Sequence, residues 1–345
     1  MEAVSDPSCL PVVEDVAWLP VEEPAHVGRA RRVATALAEQ LGFPAARAAE
    51  VGLAVTEVGT NLHKHARQGA VLVRSVRGER DAAVEVVALD RGPGIGDLAL
   101  AREDGQSTTG TLGLGLGAVA RLSNTCSMTS RPGLGTALVA RFEQSARSAP
   151  ERGDALAAGL TRPIGGESVC GDAYAVCRLP DRLVLMVCDG SGHGPLAAAA
   201  SAAAVREFRS RPTAPPEETV ARLHAVLRGT RGGAVAVADV DSAARTVRFA
   251  GLGNIAGAVL GQGRKQGMIS VPGVAGHQAR TIRAFDYALP EGAVVVLHSD
   301  GLTERWGVDH GSDLAVDAPV LIAATLLREA GVRNDDACVL VGKPT

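Results

Sequence analysis

What the 345-residue chain has little of narrows its reading first. Aromatic residues make up 3% of it, so any core must be packed from Val, Leu and Ala rather than from large rings. No apolar run approaches the roughly 20 residues needed to cross a bilayer. The opening stretch, MEAVSDPSCLPVVEDVAWLP, carries acids and prolines where a secretory leader carries basic residues and an apolar segment. A cytoplasmic protein without membrane association is therefore expected. Charge of one sign is also scarce: the formal net charge is -3, and no basic run is interleaved with aromatics, which excludes the usual electrostatic footprint of a nucleic-acid binder. The cysteines Cys9, Cys126, Cys170, Cys177, Cys188 and Cys338 form no CxxC pair. Neither a zinc ribbon nor a dithiol redox motif is indicated, and buried free thiols are expected. There is no internal repeat and no low-complexity tract.

What is there is a globular composition, 46% hydrophobic and 21% charged, in a chain longer than one core usually serves, so two domains are expected. Residues 27–41 and 46–66 read as helices, the second placing Val51, Val55, Val58 and Leu62 on one face. Strand-like runs follow at 70–76 and 83–89. A Gly-rich stretch then leads into a short helix near 115–123, and RPGLGTALVARF reads as a hairpin turn entering a last strand. The polar segment 143–154 reads as a linker. Beyond it, runs at 183–188, 293–297 and 337–341 are continuously apolar, as expected of strands covered on both faces. Residues 195–209 and 216–228 read as helices with Pro195 and Pro216 near their starts.

In the first half, Glu57 and Asn61 project from one helix face, with Lys64 and His65 a turn further on. A carboxylate beside an amide suits a magnesium-nucleotide site: the amide oxygen can ligate a hard cation, and Glu57 can take a proton from a group attacking a γ-phosphate. A solvated helix face is the alternative. Asp90 ends an apolar strand before Gly92-Pro93-Gly94, where backbone can approach a flat ligand while the carboxylate accepts a hydrogen bond from an amino group, as adenine would offer. Glycines at 110, 113, 115 and 117 can let backbone N–H groups and a helix N-terminus cradle phosphates. A loose dinucleotide fingerprint is also present there, but no apolar strand precedes it.

The order Glu57/Asn61, Asp90-x-Gly-x-Gly and GLGLG resembles the GHKL superfamily of ATP-binding domains over residues 27–142. The short lid and the following PGLGT look like the RsbT/RsbW group of serine kinases. The resemblance implies Glu57 as catalytic base and Asn61 as magnesium ligand. It further implies Asp90 as adenine contact and Gly92, Gly94, Gly113, Gly115 and Gly117 as nucleotide-loop glycines, with ATP and Mg2+ as cofactors. Leu62 stands where that family often has Ala.

In the second half, Asp189, Asp300 and Asp335 sit where apolar strands meet loops, and Asp172 enters one. Ionised carboxylates at the rim of a dry sheet are costly unless paired or metal-bound, and hard divalent cations are the natural partners. Turn-capping by each Asp is the alternative. The order Gly171-Asp172, Asp189-Gly190-Ser191-Gly192-His193-Gly194, Ser299-Asp300-Gly301 and Asn334-Asp335-Asp336 resembles the PPM phosphatases of the SpoIIE/RsbX branch. The resemblance implies two Mn2+ or Mg2+ ions bridging a water that attacks phosphorus in line. Asp172 and Asp189 would hold the pair, the Gly190 carbonyl would add a ligand, Asp300 and Asp335 would complete the second ion, and Asp336 would support the site from behind. His193 is placed either to protonate the leaving group or to hold its loop, and His277 and His298 are assigned to structure. Ala337-Cys338 stands where family members commonly carry Thr.

The expected architecture is thus a two-domain α/β (α+β) chain. An N-terminal extension (1–26) precedes a GHKL (Bergerat) α/β sandwich (27–142), and a linker (143–154) leads to a PPM-type αββα sandwich (155–345). The resemblance implies a serine kinase-like module joined to a phosphoserine/phosphothreonine phosphatase. Its partner would be a STAS-domain protein in a stress sigma-factor pathway, with a sigma factor or a phosphatase activator as other partners of that class. A nucleotide-gated binding module and a nucleotide sensor are the alternatives for the first domain.

Overall fold

The computed structural model describes residues 8–9, 12–78, 81–96, 98, 115–145, 156–165, 167–306, 315, 317–332 and 334–344. Two compact units result, one of residues 11–151 and one of residues 1–10 with 152–345. From its start the chain runs β1 (Ser8–Cys9), β2 (Val12–Pro20), α1 (Pro24–Gln40), α2 (Ala45–His65), β3 (Ala70–Arg77), β4 (Ala82–Leu89), α3 (Gly115–Leu122), β5 (Thr125–Arg131) and β6 (Gly135–Glu143).

In the first unit the strands form an antiparallel sheet in the order β2-β3-β4-β6-β5. The apolar stripes of both helices face it: Ala34 and Leu37 of α1 and Val51, Val55 and Val58 of α2 share a core with Val73, Val86, Leu138 and Phe142. Burial of these small and medium side chains supplies the drive that the scarce aromatics cannot. Arg74 and Glu85 are register partners across β3 and β4, and Arg74 Nε donates to Glu85 Oε1 at 2.7 Å in a buried pair. Slipping the strands by one residue would strand both charges, so the pair helps to pin the register.

Two boundaries differ from the sequence reading. Val12–Pro20 is not part of an extension but a sheet strand paired along β3, and α1 begins at Pro24. The acids at 14 and 15 hide the strand by breaking its apolar alternation. Glu143, placed at the start of the linker, closes β6, and residues 146–154 of that linker lie outside the described residues.

The second unit continues with β7 (Ala157–Arg162), β8 (Asp172–Arg178), β9 (Arg182–Gly190), α4 (Pro195–Ser210), α5 (Pro216–Val226), β10 (Gly233–Asp241), β11 (Thr246–Leu252), β12 (Ala256–Gly261) and β13 (Arg264–Met268). The short strands β14 (Ser270–Val271), β15 (Gly273–Val274), β16 (Gln278–Ala279) and β17 (Phe285–Ala288) precede β18 (Val294–His298), α6 (Pro319–Ala330) and β19 (Ala337–Gly342). One sheet follows the order β1-β8-β9-β10-β11-β14 with β17 also on β11, and the other the order β13-β12-β18-β19-β7.

Alternation along β9 explains the layering. Leu183, Leu185 and Val187 enter the core between the sheets with Phe249, Val295, Leu297 and Leu340, while Val184, Met186 and Cys188 pack with Phe208 of α4 and Leu223 of α5. The continuous apolar run is therefore buried on both faces, as its composition implied. Cys177, Cys188 and Cys338 are buried free thiols, whereas Cys126 and Cys170 are only half-buried, and the side chain of Cys9 is outside the described residues. Helix α6, absent from the sequence reading, is apolar nearly throughout and buried along most of its length, so burial alone does not separate it from a covered strand.

Phe249 is fully buried between the sheets, so Phe249→Ala should cost about 3–5 kcal/mol. A lower unfolding transition of the C-terminal unit in differential scanning calorimetry is the expected outcome.

Candidate functional site

The two sheets of the second unit bring their acidic strand ends to the same end of the sandwich. Asp172 opens β8 and Asp189 stands near the end of β9, and the ladder sets them directly opposite. By alternation both point to the side of Val176 and Val187, between the sheets. From the other sheet come Asp300, just beyond β18, and Asp335, just before β19. Asp172 is 5% exposed, Asp189 is half-buried, and Asp300 and Asp335 are exposed at the mouth. An open cleft of about 760 Å³ lies over them, lined by Asp189, His193, Asn254, Asp300 and Asp335 among others.

Neighbouring side chains fix these carboxylates. Ser299 Oγ donates to Asp172 Oδ2 at 2.6 Å and accepts the Cys338 backbone N–H at 2.9 Å. Asn254 Nδ2 donates to Asp300 Oδ2 at 2.6 Å. Asp336 is buried and receives the backbone N–H groups of Ile164 at 2.7 Å and Gly171 at 2.8 Å. Gly190 fits only without a side chain: a Cβ there would lie 2.4 Å from the Ala197 carbonyl oxygen, because the end of β9 packs on the first turn of α4. His193 Nδ1 meets Glu167 Oε1 at 2.9 Å. His298 is buried and accepts a hydrogen bond from Trp306 Nε1 at 3.1 Å, and His277 Nε2 meets the Arg231 carbonyl at 3.0 Å. Ser299, Asn254 and Glu167 were given no role in the sequence reading. Ser299 carried a signal in its place beside Asp300, and Asn254 in the run 251–260, which also resembles RsbX-type phosphatases.

Electrostatics make the cluster a cation site in waiting. Burial, then repulsion from the other aspartates against the opposing Ser299 hydrogen bond, pushes Asp172 up to about 7. Burial and the charges of Asp172, Asp300 and Asp335 push Asp189 up to about 9, and burial followed by Asp335 raises Asp300. The shifts of Asp172, Asp189 and Asp300 are linked, since each carries the charge of other aspartates of the cluster among its causes. Among the described residues no group of three or more His, Cys, Asp or Glu side chains stands at metal-ligating geometry. An oxygen-only donor set with one or two carboxylates per ion, completed by a backbone carbonyl and water, fits hard divalent cations such as Mg2+.

In the first unit, Glu57 and Asn61 lie half-buried one turn apart on α2, while Lys64 and His65 are exposed. Asp90 follows β4 and is 8% exposed. Its Oδ1 accepts the Gly92 N–H at 2.6 Å, a local turn that presents the loop 91–94. Gly94 has φ +74°, and a Cβ on it would lie 2.3 Å from the Arg131 carbonyl oxygen. Gly115 opens α3 and Gly117 is buried within it. Gly113 and the rest of the lid at 99–114 lie outside the described residues.

Two outcomes follow from this geometry. Gly94→Ala should displace the loop at Asp90 and weaken nucleotide binding at least about tenfold, a loss of about 1.4 kcal/mol, read by calorimetric titration with ATP. Without cations, the folded second unit holds more protons than the unfolded chain between the ordinary carboxyl value of 3.8 and about 9. Its stability should therefore fall as pH rises through that window, by about 1.4 kcal/mol per pH unit for each extra proton held. Added Mg2+ or Mn2+ should raise the unfolding temperature more at about pH 8 than at about pH 5; equal gains would show that the carboxylates are not held protonated.

Residues 21–142 match the family model of the histidine kinase-like ATPase domain, and residues 180–343 match that of stage II sporulation protein E. The serine/threonine-protein kinase RsbT of Bacillus subtilis (strain 168) is 31% identical over 137 residues, which cover 40% of this chain and 96% of the relative. A solved structure from work on the bacterial stressosome as a modular system adapted to control secondary messenger signaling is 29% identical, covering 55% of this chain and 98% of that one, with a TM-score of 0.49. RsbX in complex with magnesium is 19% identical, covering 55% and 94%, with a TM-score of 0.48. The chain belongs to the RsbT family through its histidine kinase-like ATPase domain, and it joins to that GHKL-type domain a SpoIIE domain of the PPM phosphatase fold.

Proposed function

We propose that the chain is a bifunctional partner-switching regulator: a metal-dependent phosphoserine/phosphothreonine phosphatase joined to an ATP-dependent serine kinase, both acting on a STAS-domain protein of a stress sigma-factor pathway. The observation that carries the phosphatase reading is the convergence of Asp189, Asp300 and Asp335 from two sheets on one open cleft, with Asp172 buried directly opposite Asp189 on the neighbouring strand. Asp172 and Asp189 would hold the cation pair with the Gly190 carbonyl as a further ligand, and Asp300 and Asp335 would complete the second ion. The cations, when bound, supply positive charge that offsets the phosphoryl oxygens and favours attack at phosphorus.

The chain's own groups do the rest. Ser299 holds Asp172 and Asn254 holds Asp300, so neither carboxylate must reorganise when substrate arrives. Asp336 ties the loop before Asp172 to the strand end that carries Asp335. His193 lines the cleft and is the proton donor to the departing seryl oxygen. In the first domain Glu57 takes a proton from the attacking seryl hydroxyl, Asn61 holds Mg2+, Asp90 receives the adenine amino group, and the glycine loop binds the phosphates of ATP. The likeness to RsbT, a serine/threonine-protein kinase, supports transfer over a nucleotide-gated binding role. Fusion places the phosphatase at high effective concentration beside anything the kinase domain binds.

Transfer of labelled γ-phosphate from ATP to a STAS protein tests the pair of activities, with wild type, Glu57→Ala and Asp189→Ala compared in divalent metal. Label should accumulate most with Asp189→Ala, roughly tenfold or more over wild type, and vanish with Glu57→Ala. Failure of every variant to transfer label, with ATP bound and a phosphorylated partner still hydrolysed, would reduce the first domain to a binding module.

A further inference from the structure

The loop that precedes β8 carries a carboxylate that the cation site does not use. Asp336 accepts the N–H groups of Ile164 and Gly171, anchoring this loop near both ends. Within it the Glu167 N–H donates to the Ile164 carbonyl at 3.1 Å, a turn that directs Glu167 to His193. The two side chains meet at 2.9 Å, and their exposures differ in a useful way: the imidazole is 58% exposed and the carboxylate 33%. Both Glu167 oxygens lie 3.3 Å from where a Cβ on Gly194 would stand, so the carboxylate sits over the residue that precedes α4.

We infer that Glu167 is a positioning residue that fixes the ring orientation and tautomer of His193 for proton donation to the substrate's leaving oxygen. An ionised carboxylate only accepts, so Nδ1 carries the hydrogen and donates it to Glu167. Nε2 then faces the cleft, where it picks up and delivers the reacting proton. In the step served, water oxygen bonds to phosphorus and the bond from phosphorus to the seryl oxygen breaks with its electron pair on that oxygen. The Nε2 proton moves to the seryl oxygen, and the proton shed by the water goes to solvent. Serine and inorganic phosphate leave, and no oxidant or second reactant is required. The oxygen that must be protonated is that of an alkyl phosphoester; a p-nitrophenolate is a weak base and departs without help. The inference rests on the phosphatase reading above.

The test uses the full chain with Mn2+ and two substrates, a phosphoseryl peptide and p-nitrophenyl phosphate, in wild type, Glu167→Gln, His193→Ala and the double variant. Glu167→Gln should lower kcat on the peptide by about 100-fold, the lower end for loss of an oriented proton donor, with a far smaller loss on the aryl ester. His193→Ala should show the same selectivity, and the double variant should be no worse than His193→Ala. Imidazole 15N shifts, recorded without metal, should report the Nδ1–H tautomer of His193 in wild type and its loss in Glu167→Gln. Equal losses on both substrates, or an unchanged tautomer, would overturn the positioning role while leaving the phosphatase reading intact. Wild-type inactivity on both substrates would sink both.

Discussion

Repulsion among carboxylates at the rim of a dry sandwich governs the C-terminal unit. Asp172, buried, and Asp189, half-buried, face one another across neighbouring strands, and two more aspartates arrive from the opposite sheet. Left to itself the cluster resolves the conflict by holding protons, which is why burial and like charge raise Asp172, Asp189 and Asp300 together. A protonated cluster is a poor ligand but a ready one, since each proton can be exchanged for a share of a divalent cation. The hydrogen bonds from Ser299 and Asn254 orient the acids without neutralising them, so attraction for a cation is preserved.

The first unit addresses a different demand. The close approach of Gly94 to the Arg131 carbonyl shows how little room the loop after β4 leaves for a side chain. The acidic and amide groups of α2 stand on a helix whose neighbouring stripe, Val51, Val55 and Val58, is locked into the core. Burial of that stripe fixes the rotation of the helix, and with it the direction in which Glu57 and Asn61 leave the backbone.

Much of this was legible in the chain because the signals are local. The period of Val51, Val55 and Val58 gave the helix, the apolar run before Asp189 gave a strand covered on both faces, and the aspartates stood where apolar runs end. The missing parts had little local signature. Strand Val12–Pro20 is interrupted by acids, and Arg74–Glu85 becomes a pair only through strand register. Helix Pro319–Ala330 is buried along most of its length, as a covered strand would be. Glu167 lies in an irregular loop, and its partner His193 is 26 residues away. Asn254 lies 46 residues from Asp300. Sequence shows which groups stand at strand ends; the fold decides which loops reach them.

The Asp336 carboxylate joins segments 165 and 172 residues apart, and β19, which follows it, lies between β18 and β7. Contacts of such range pay their loop-closure entropy late and slow folding. The cleft therefore cannot be assembled piecemeal from the amino-terminal side. Until β19 inserts between β18 and β7, the loop carrying Glu167 lacks its anchor and Asp335 has no neighbours. During synthesis, then, the growing chain has no such cleft until β19 has docked, whereas every element of the first unit has by then been made.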